Sequence, residues 1–227
     1  IPYKKLSSAK VTSFIKNNQE LSYIKKFTRF TVFFKFGVFI SSAFFTPYML
    51  KSLGFTYYQY TSILLVTFIG RFISTFFLQK FIRHLNLVKL YFLAALTISF
   101  IPLIWVNFPL FSILIFTELI TGLAWGCYEL CFSIITFEKV SSDHQTSFMS
   151  YFNFWHTIYI SVGCVLGAFI FYKMEISPLN YNCVFILSSL ARLLSLMIFP
   201  IHENILLGKK YQKWAQNFII RPGLNSL

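Results

Sequence analysis

Charge is scarce in this sequence, and negative charge scarcest of all. Of 227 residues only 12% are Asp, Glu, Lys or Arg, and just seven of them are acidic. A soluble domain carries about 25% charged residues, so this composition excludes a water-soluble globular fold. Histidine is also rare: His84, His144, His156 and His202 are the full set, and none stands in an H-E-x-x-H or other paired motif. G-x-S-x-G and G-x-x-x-x-G-K-[ST] are absent as well. The machinery of a zinc hydrolase, a serine hydrolase, a P-loop enzyme or a membrane hydroxylase is therefore missing, and the chain is read as no enzyme. The four cysteines, Cys127, Cys131, Cys164 and Cys183, form no C-x-x-C pair and have no His at ligand spacing. They predict no metal, no cofactor and no redox site, and behave as small apolar residues.

What is abundant is apolar surface: 56% of the chain is hydrophobic and thirty residues are Phe. Long apolar runs cover residues 30–50, 58–78, 90–106, 109–137, 147–171 and 182–201. Each approaches or exceeds the ~20 residues that cross a bilayer core. Barrel strands would alternate polarity over about ten residues, which these runs do not. The expected fold class is an all-α membrane protein with six transmembrane helices in residues 29–203. A basic linker, 1–28, precedes them, and a tail, 204–227, follows, in which Trp214 and Phe218 near lysines suit a headgroup surface and which reads equally as a disordered tail.

The net charge of +13 is explained by topology. Lys4, Lys5, Lys10, Lys16, Lys25, Lys26 and Arg29 precede the first run; Lys80, Arg83 and Lys89 lie between the second and third; Lys139 follows the fourth; Lys209, Lys210, Lys213 and Arg221 follow the sixth. Six crossings put all fifteen on one side, and the opposite loops hold only Lys51 and Lys173. The positive-inside rule then places both termini in the cytoplasm, with the chain multi-pass in the cell inner membrane. No aromatic-and-basic motif for nucleic acid stands beside these charges, so the bilayer and its headgroups are the expected partners of the basic loops. Lys35, Arg71 and Arg192 remain, inside the apolar runs.

The fourth run contains FTELITGLAWGCYELCF, with Glu118 and Glu129 eleven residues apart. Eleven residues are three helical turns to within about 20°, so both carboxylates fall on one stripe of the helix. A charge at a helix centre costs about 2.5–3.5 kcal/mol on the insertion scale, and each Leu, Ile, Phe or Val contributes about 0.3–0.6. The fourteen such residues between Pro109 and Phe137 supply roughly 6 kcal/mol, which two carboxylates nearly cancel. This stripe must therefore meet protein or a water-filled cavity. Arg71, Arg192 and His156 lie at similar depth and are candidate partners. Glu118, Glu129, Arg71 and His156 are read as a substrate or proton pathway, and Arg192 as half of a structural ion pair. Gly122 and Gly126, like Gly163 and Gly167, let helices approach closely. Pro47 and Pro102 are expected to kink their helices, Pro47 with Gly122 and Gly126 as candidate gating positions.

FFTPYMLKSLGFTYYQYT, residues 44–61, resembles the seventh and eighth helices of bacterial major facilitator superfamily transporters, and ELITGLAWGCYEL, residues 118–130, looks like their tenth. The resemblance spans residues 29–203 and the C-terminal six of twelve family helices. It implies that the basic leader is the cytoplasmic loop joining two halves and that a second, N-terminal six-helix half is a partner. In the loop that carries a G-x-x-x-D-R-x-G-R-R pattern in that family, this chain reads QKFIRHLNLVK. Gln79, Arg83 and Asn86 stand for the first glycine, the aspartate and the second glycine, and only basic positions such as Lys80 and Lys89 keep their character. The resemblance implies cavity-lining first and fourth helices, peripheral third and sixth helices, and a secondary transporter moving a small solute by alternating access, with a proton as candidate coupling ion. The alternative is a non-transporting multi-pass scaffold or assembly subunit.

Overall fold

The computed structural model describes residues 18–81, 85–140, 145–173 and 178–200. Most of the basic leader, the whole 204–227 tail, and His84, His144 and His202 lie outside them. Every regular element among the described residues is helical. We label them α1 (Asn18–Ser41), α2 (Tyr57–Phe81), α3 (Leu87–Asn107), α4 (Phe111–Lys139), α5 (Gln145–Lys173) and α6 (Pro178–Leu196). Five spans are long and apolar enough to cross a membrane: Tyr23–Ser52, Tyr57–Lys80, Leu87–Asn107, Phe111–Lys139 and Gln145–Tyr172. This is the architecture of a helical, multi-pass membrane protein.

Two helix ends differ from the apolar runs. Helix α1 begins at Asn18, twelve residues before the run at Phe30, so the last part of the expected linker is helical. Tyr23, Ile24, Phe27 and Phe30 recur at helical spacing and are buried, while Lys25, Lys26 and Arg29 on the other side are exposed. At the opposite extreme, α6 ends at Leu196 instead of 201, and its apolar part, Tyr181–Leu196, is the short one of the six. Its last carbonyls are taken by i−3 bonds, Met197 to Leu194, Ile198 to Ser195 and Phe199 to Leu196. The chain tightens there because Pro200 disfavours helical backbone in the residue before it.

Local chemistry sets the other ends. Thr56 and Gln59 form a capping box at the start of α2: Gln59 Oε1 accepts from the Thr56 N–H at 2.9 Å, and Thr56 Oγ1 accepts from the Gln59 N–H at 3.3 Å. Asn86 caps α3 by accepting from the amides of Val88 and Lys89. Beyond Ser41, α1 continues as a 3₁₀ turn (Ser42–Phe44), a short α turn (Phe45–Pro47) and a π turn (Tyr48–Ser52). Pro47 has no N–H for the Ala43 carbonyl, and the helix changes pitch on either side of it. Helix α3, by contrast, stays α-helical through Pro102.

Helix α1 packs on α5 and α6, α4 packs on α2 and α3, α3 meets α6, and α1 and α4 barely touch. Exchange α1 with α4, α2 with α5 and α3 with α6, and the first set of contacts becomes the second. The bundle is thus two three-helix repeats related by a pseudo-two-fold exchange.

The glycine pairs seal the interfaces that this exchange relates. A Cβ on Gly122 would meet the Thr67 carbonyl and lie 3.0 Å from Gly70 Cα; one on Gly126 would lie 2.8 Å from the Arg71 carbonyl. On α5, a Cβ on Gly163 would come within 2.7 Å of the Phe36 carbonyl, and one on Gly167 would strike that of Ile40. Gly122 and Gly126 are therefore contact points between backbones, as small residues in membrane helices are.

Candidate functional site

Four helices bring a polar side chain to one level. Lys35 is twelve residues after Tyr23, Arg71 nine before Lys80, Glu129 ten before Lys139 and His156 eleven after Gln145, each counted from the same end of the bundle. At 1.5 Å per residue that is about 14–18 Å from that end, near the middle of a ~30 Å hydrocarbon core.

Arg71 Nη1 lies 3.6 Å from Glu129 Oε1, with the two side chains 38% and 50% exposed. Of the two arginines that depth alone allowed as partners, Glu129 takes Arg71. The Trp125 ring, one turn away from Glu129, has the Lys35 ammonium 4.2 Å from its centroid and the Arg71 guanidinium 5.7 Å from it. Such cation–π contacts contribute on the order of 0.5–2 kcal/mol each. Lys35 is also within electrostatic reach of Glu129 and Arg71, and His156 within reach of Lys35. The His156 ring stacks on Phe152, centroids 5.2 Å apart. Lys35 is the member that sequence reasoning passed over. Its signal was a lone cation in the middle of an apolar run, at the depth of Glu129.

Glu118 stands apart from this cluster. It is buried, with Thr67 Oγ1 2.8 Å from Oε2 and the Trp105 indole N–H donating to Oε1 at 3.1 Å. Thr67 Oγ1 is also 3.0 Å from the Ile63 carbonyl. One hydroxyl proton serves one of these acceptors at a time. With Glu118 ionised, Thr67 donates to the carboxylate; with Glu118 protonated, the acid donates to Thr67, whose own proton turns to Ile63. Both protonation states find partners without moving a heavy atom.

Arg192 makes no ion pair among the described residues, contrary to the structural pair expected of it. Its guanidinium donates to the Ile98 carbonyl at 2.8 Å, to Ser41 Oγ at 2.9 Å and to the Val38 carbonyl at 3.5 Å. The reason lies four residues beyond Ile98, where Pro102 has no N–H to offer that carbonyl. Arg192 supplies the missing donor. Its role is structural, but its partner is a proline-orphaned backbone group and not a carboxylate.

No protein-family model, curated protein or solved structure matches this chain.

Proposed function

We propose that the chain forms one six-helix half of a secondary transporter of the major facilitator type, carrying a small solute across the inner membrane by alternating access, with a proton as the coupling ion and both termini cytoplasmic. The observation that carries this reading is the cluster of Lys35, Arg71, Glu129 and His156 at mid-depth, where α1 and α4 of the two repeats barely meet. Secondary transporters built of repeats bind substrate at the repeat interface near the bilayer midplane. Half-exposed charges at that depth are too costly to face lipid, which supports a second six-helix half closing over them to leave a cavity.

Alternating access is testable before any solute is known. A cysteine at position 156, in a full-length protein whose own cysteines are replaced by alanine, is expected to react with a membrane-impermeant maleimide in both right-side-out and inverted vesicles. The scaffold reading, with the same charged face docked on a partner helix, predicts labelling from one side at most. Reaction in only one vesicle orientation would sink the transporter.

Glu118 is the proposed proton carrier, because its hydrogen bonds close in either protonation state. Across a pH titration of the purified full-length protein, wild type is expected to release one proton more than Glu118→Gln. Equal proton counts would move Glu118 to a purely structural role.

A further inference from the structure

Among the described residues, no carboxylate lies within ion-pair distance of the Lys35 ammonium. The ammonium has three N–H donors and no acceptor. Among the described residues it faces rings, with the Trp125 centroid at 4.2 Å and that of Tyr128 at 5.5 Å. Glu129 is close enough to act on it electrostatically, but that carboxylate is held by Arg71 at 3.6 Å. Among the described residues, the buried Nε of Arg71 in turn has no hydrogen-bond partner. Two cations therefore share one carboxylate, and both have donors to spare, within 6 Å of one indole centroid. Each comes from a different helix, α1 and α2, with Trp125 and Glu129 from α4, so the arrangement is a product of the bundle and not of one sequence segment.

Donors left without a partner at membrane depth mark the position of an acceptor. We propose that Lys35, Arg71 and Trp125 recognise a small organic monoanion, its carboxylate taken by the Lys35 ammonium and the spare donors of Arg71, and its apolar or aromatic body lying along Trp125. Charge selects the class. A monoanion brings the group of Lys35, Arg71 and Glu129 to neutrality, a zwitterion leaves it with one positive charge in excess, and a cation makes the excess larger. The size of the apolar body is set by the rings that flank the level, Phe152 stacked on His156 from α5 and Tyr128 beside Trp125. The inference rests on the transporter reading for its meaning, since it names that transporter's solute class, but the binding is measured without transport.

Benzoate, benzamide and benzylamine have one ring and nearly one size, and are anionic, neutral and cationic at neutral pH. Titrated into the purified full-length protein and followed by tryptophan fluorescence and by the thermal unfolding midpoint, benzoate is expected to bind about tenfold or more tighter than benzamide, the gain of one charge-assisted hydrogen bond, with benzylamine weakest. Lys35→Met is expected to lose that advantage, so that benzoate and benzamide bind alike, while Lys35→Arg keeps it. Benzoate that binds no tighter than benzamide, or that binds Lys35→Met as it binds wild type, overturns the proposal. The ranking on wild-type protein needs no variant, so it decides even if Lys35→Met fails to fold. The two readings also fail separately. Benzoate preference with one-sided labelling at position 156 keeps the anion site and removes the transporter. Two-sided labelling with benzylamine preferred keeps the transporter and overturns the solute class.

Discussion

Gly122→Ala and Gly167→Ala, each adding a single methyl group, are expected to destabilise the protein more than loss of any exposed phenylalanine ring. Ordinary overpacking of a core costs about 1–3 kcal/mol because side chains give way. Here the groups that would have to move are main-chain carbonyls, Thr67 for Gly122 and Ile40 for Gly167. They belong to helices whose own hydrogen bonds fix them in place. The cost should therefore reach or pass about 3 kcal/mol, lowering the unfolding midpoint in detergent by several degrees. Phe116→Leu, at a site 72% exposed on the same α4 helix, is expected to unfold like wild type. Because Gly122 sits between α4 and α2, and Gly167 between α5 and α1, the two alanine variants also test the pseudo-two-fold exchange: comparable losses are expected at both. A Gly122→Ala protein as stable as wild type would mean that α2 and α4 are not in backbone contact.

Much of this fold was legible because the bilayer leaves few alternatives. A run of twenty apolar residues has no other use, and all six runs became helices. What was not legible is informative. Lys25, Lys26 and Arg29 made the start of α1 look like linker, although Tyr23, Ile24, Phe27 and Phe30 already traced one face of a helix. Charge density hid helical spacing. At the candidate site, depth counting brought Arg71, His156 and Glu129 to one level, and Arg71 Nη1 lies 3.6 Å from Glu129 Oε1. It could not choose between Arg71 and Arg192 as partner of Glu129, because depth says nothing about which side of the bundle a residue faces. Helix contacts decide that. Arg71 is on α2, which packs on α4, whereas Arg192 is on α6, which packs on α1 and α3. Helix α3 carries no acidic residue and α1 has Glu20 alone, near its first turn, so an ion pair for Arg192 had no partner to form with. Lys35 is hidden for a related reason: its ammonium rests on aromatic rings and not on a carboxylate whose spacing would point to it.

The pairing of Arg192 with Pro102 is the arrangement that sequence spacing could never have announced, and a double-mutant cycle exposes it. Arg192→Met alone is expected to destabilise the protein by about 1–3 kcal/mol, the cost of leaving the buried Ile98 carbonyl unpaired. Part of that loss is offset, since the variant no longer buries a cation without a counter-ion. For that reason the single substitution is a poor measure of the contact. In a Pro102→Ala background the alanine N–H is free to take the Ile98 carbonyl four residues back, as in any α-helix. The orphan that Arg192 serves then no longer exists. Arg192→Met should cost about 1–2 kcal/mol less in that background than in wild type. The opposite result, equal losses with and without the proline, would show that Arg192 acts through Ser41 and Val38 alone. The expected coupling also explains why a charged residue is tolerated at the packed junction of α1, α3 and α6. Methionine or leucine would fill the same volume, but only a long donor can reach across from α6 to the carbonyl that proline strands on α3. The proline bends the hydrogen-bond pattern of one repeat, and the arginine of the other repeat completes it, so the two repeats are tied at the point where α3 and α6 meet. If alternating access moves α1 and α4 about this junction, the α3–α6 tie is expected to stay closed throughout, and the Ile98 to Arg192 contact should survive in every state of the cycle.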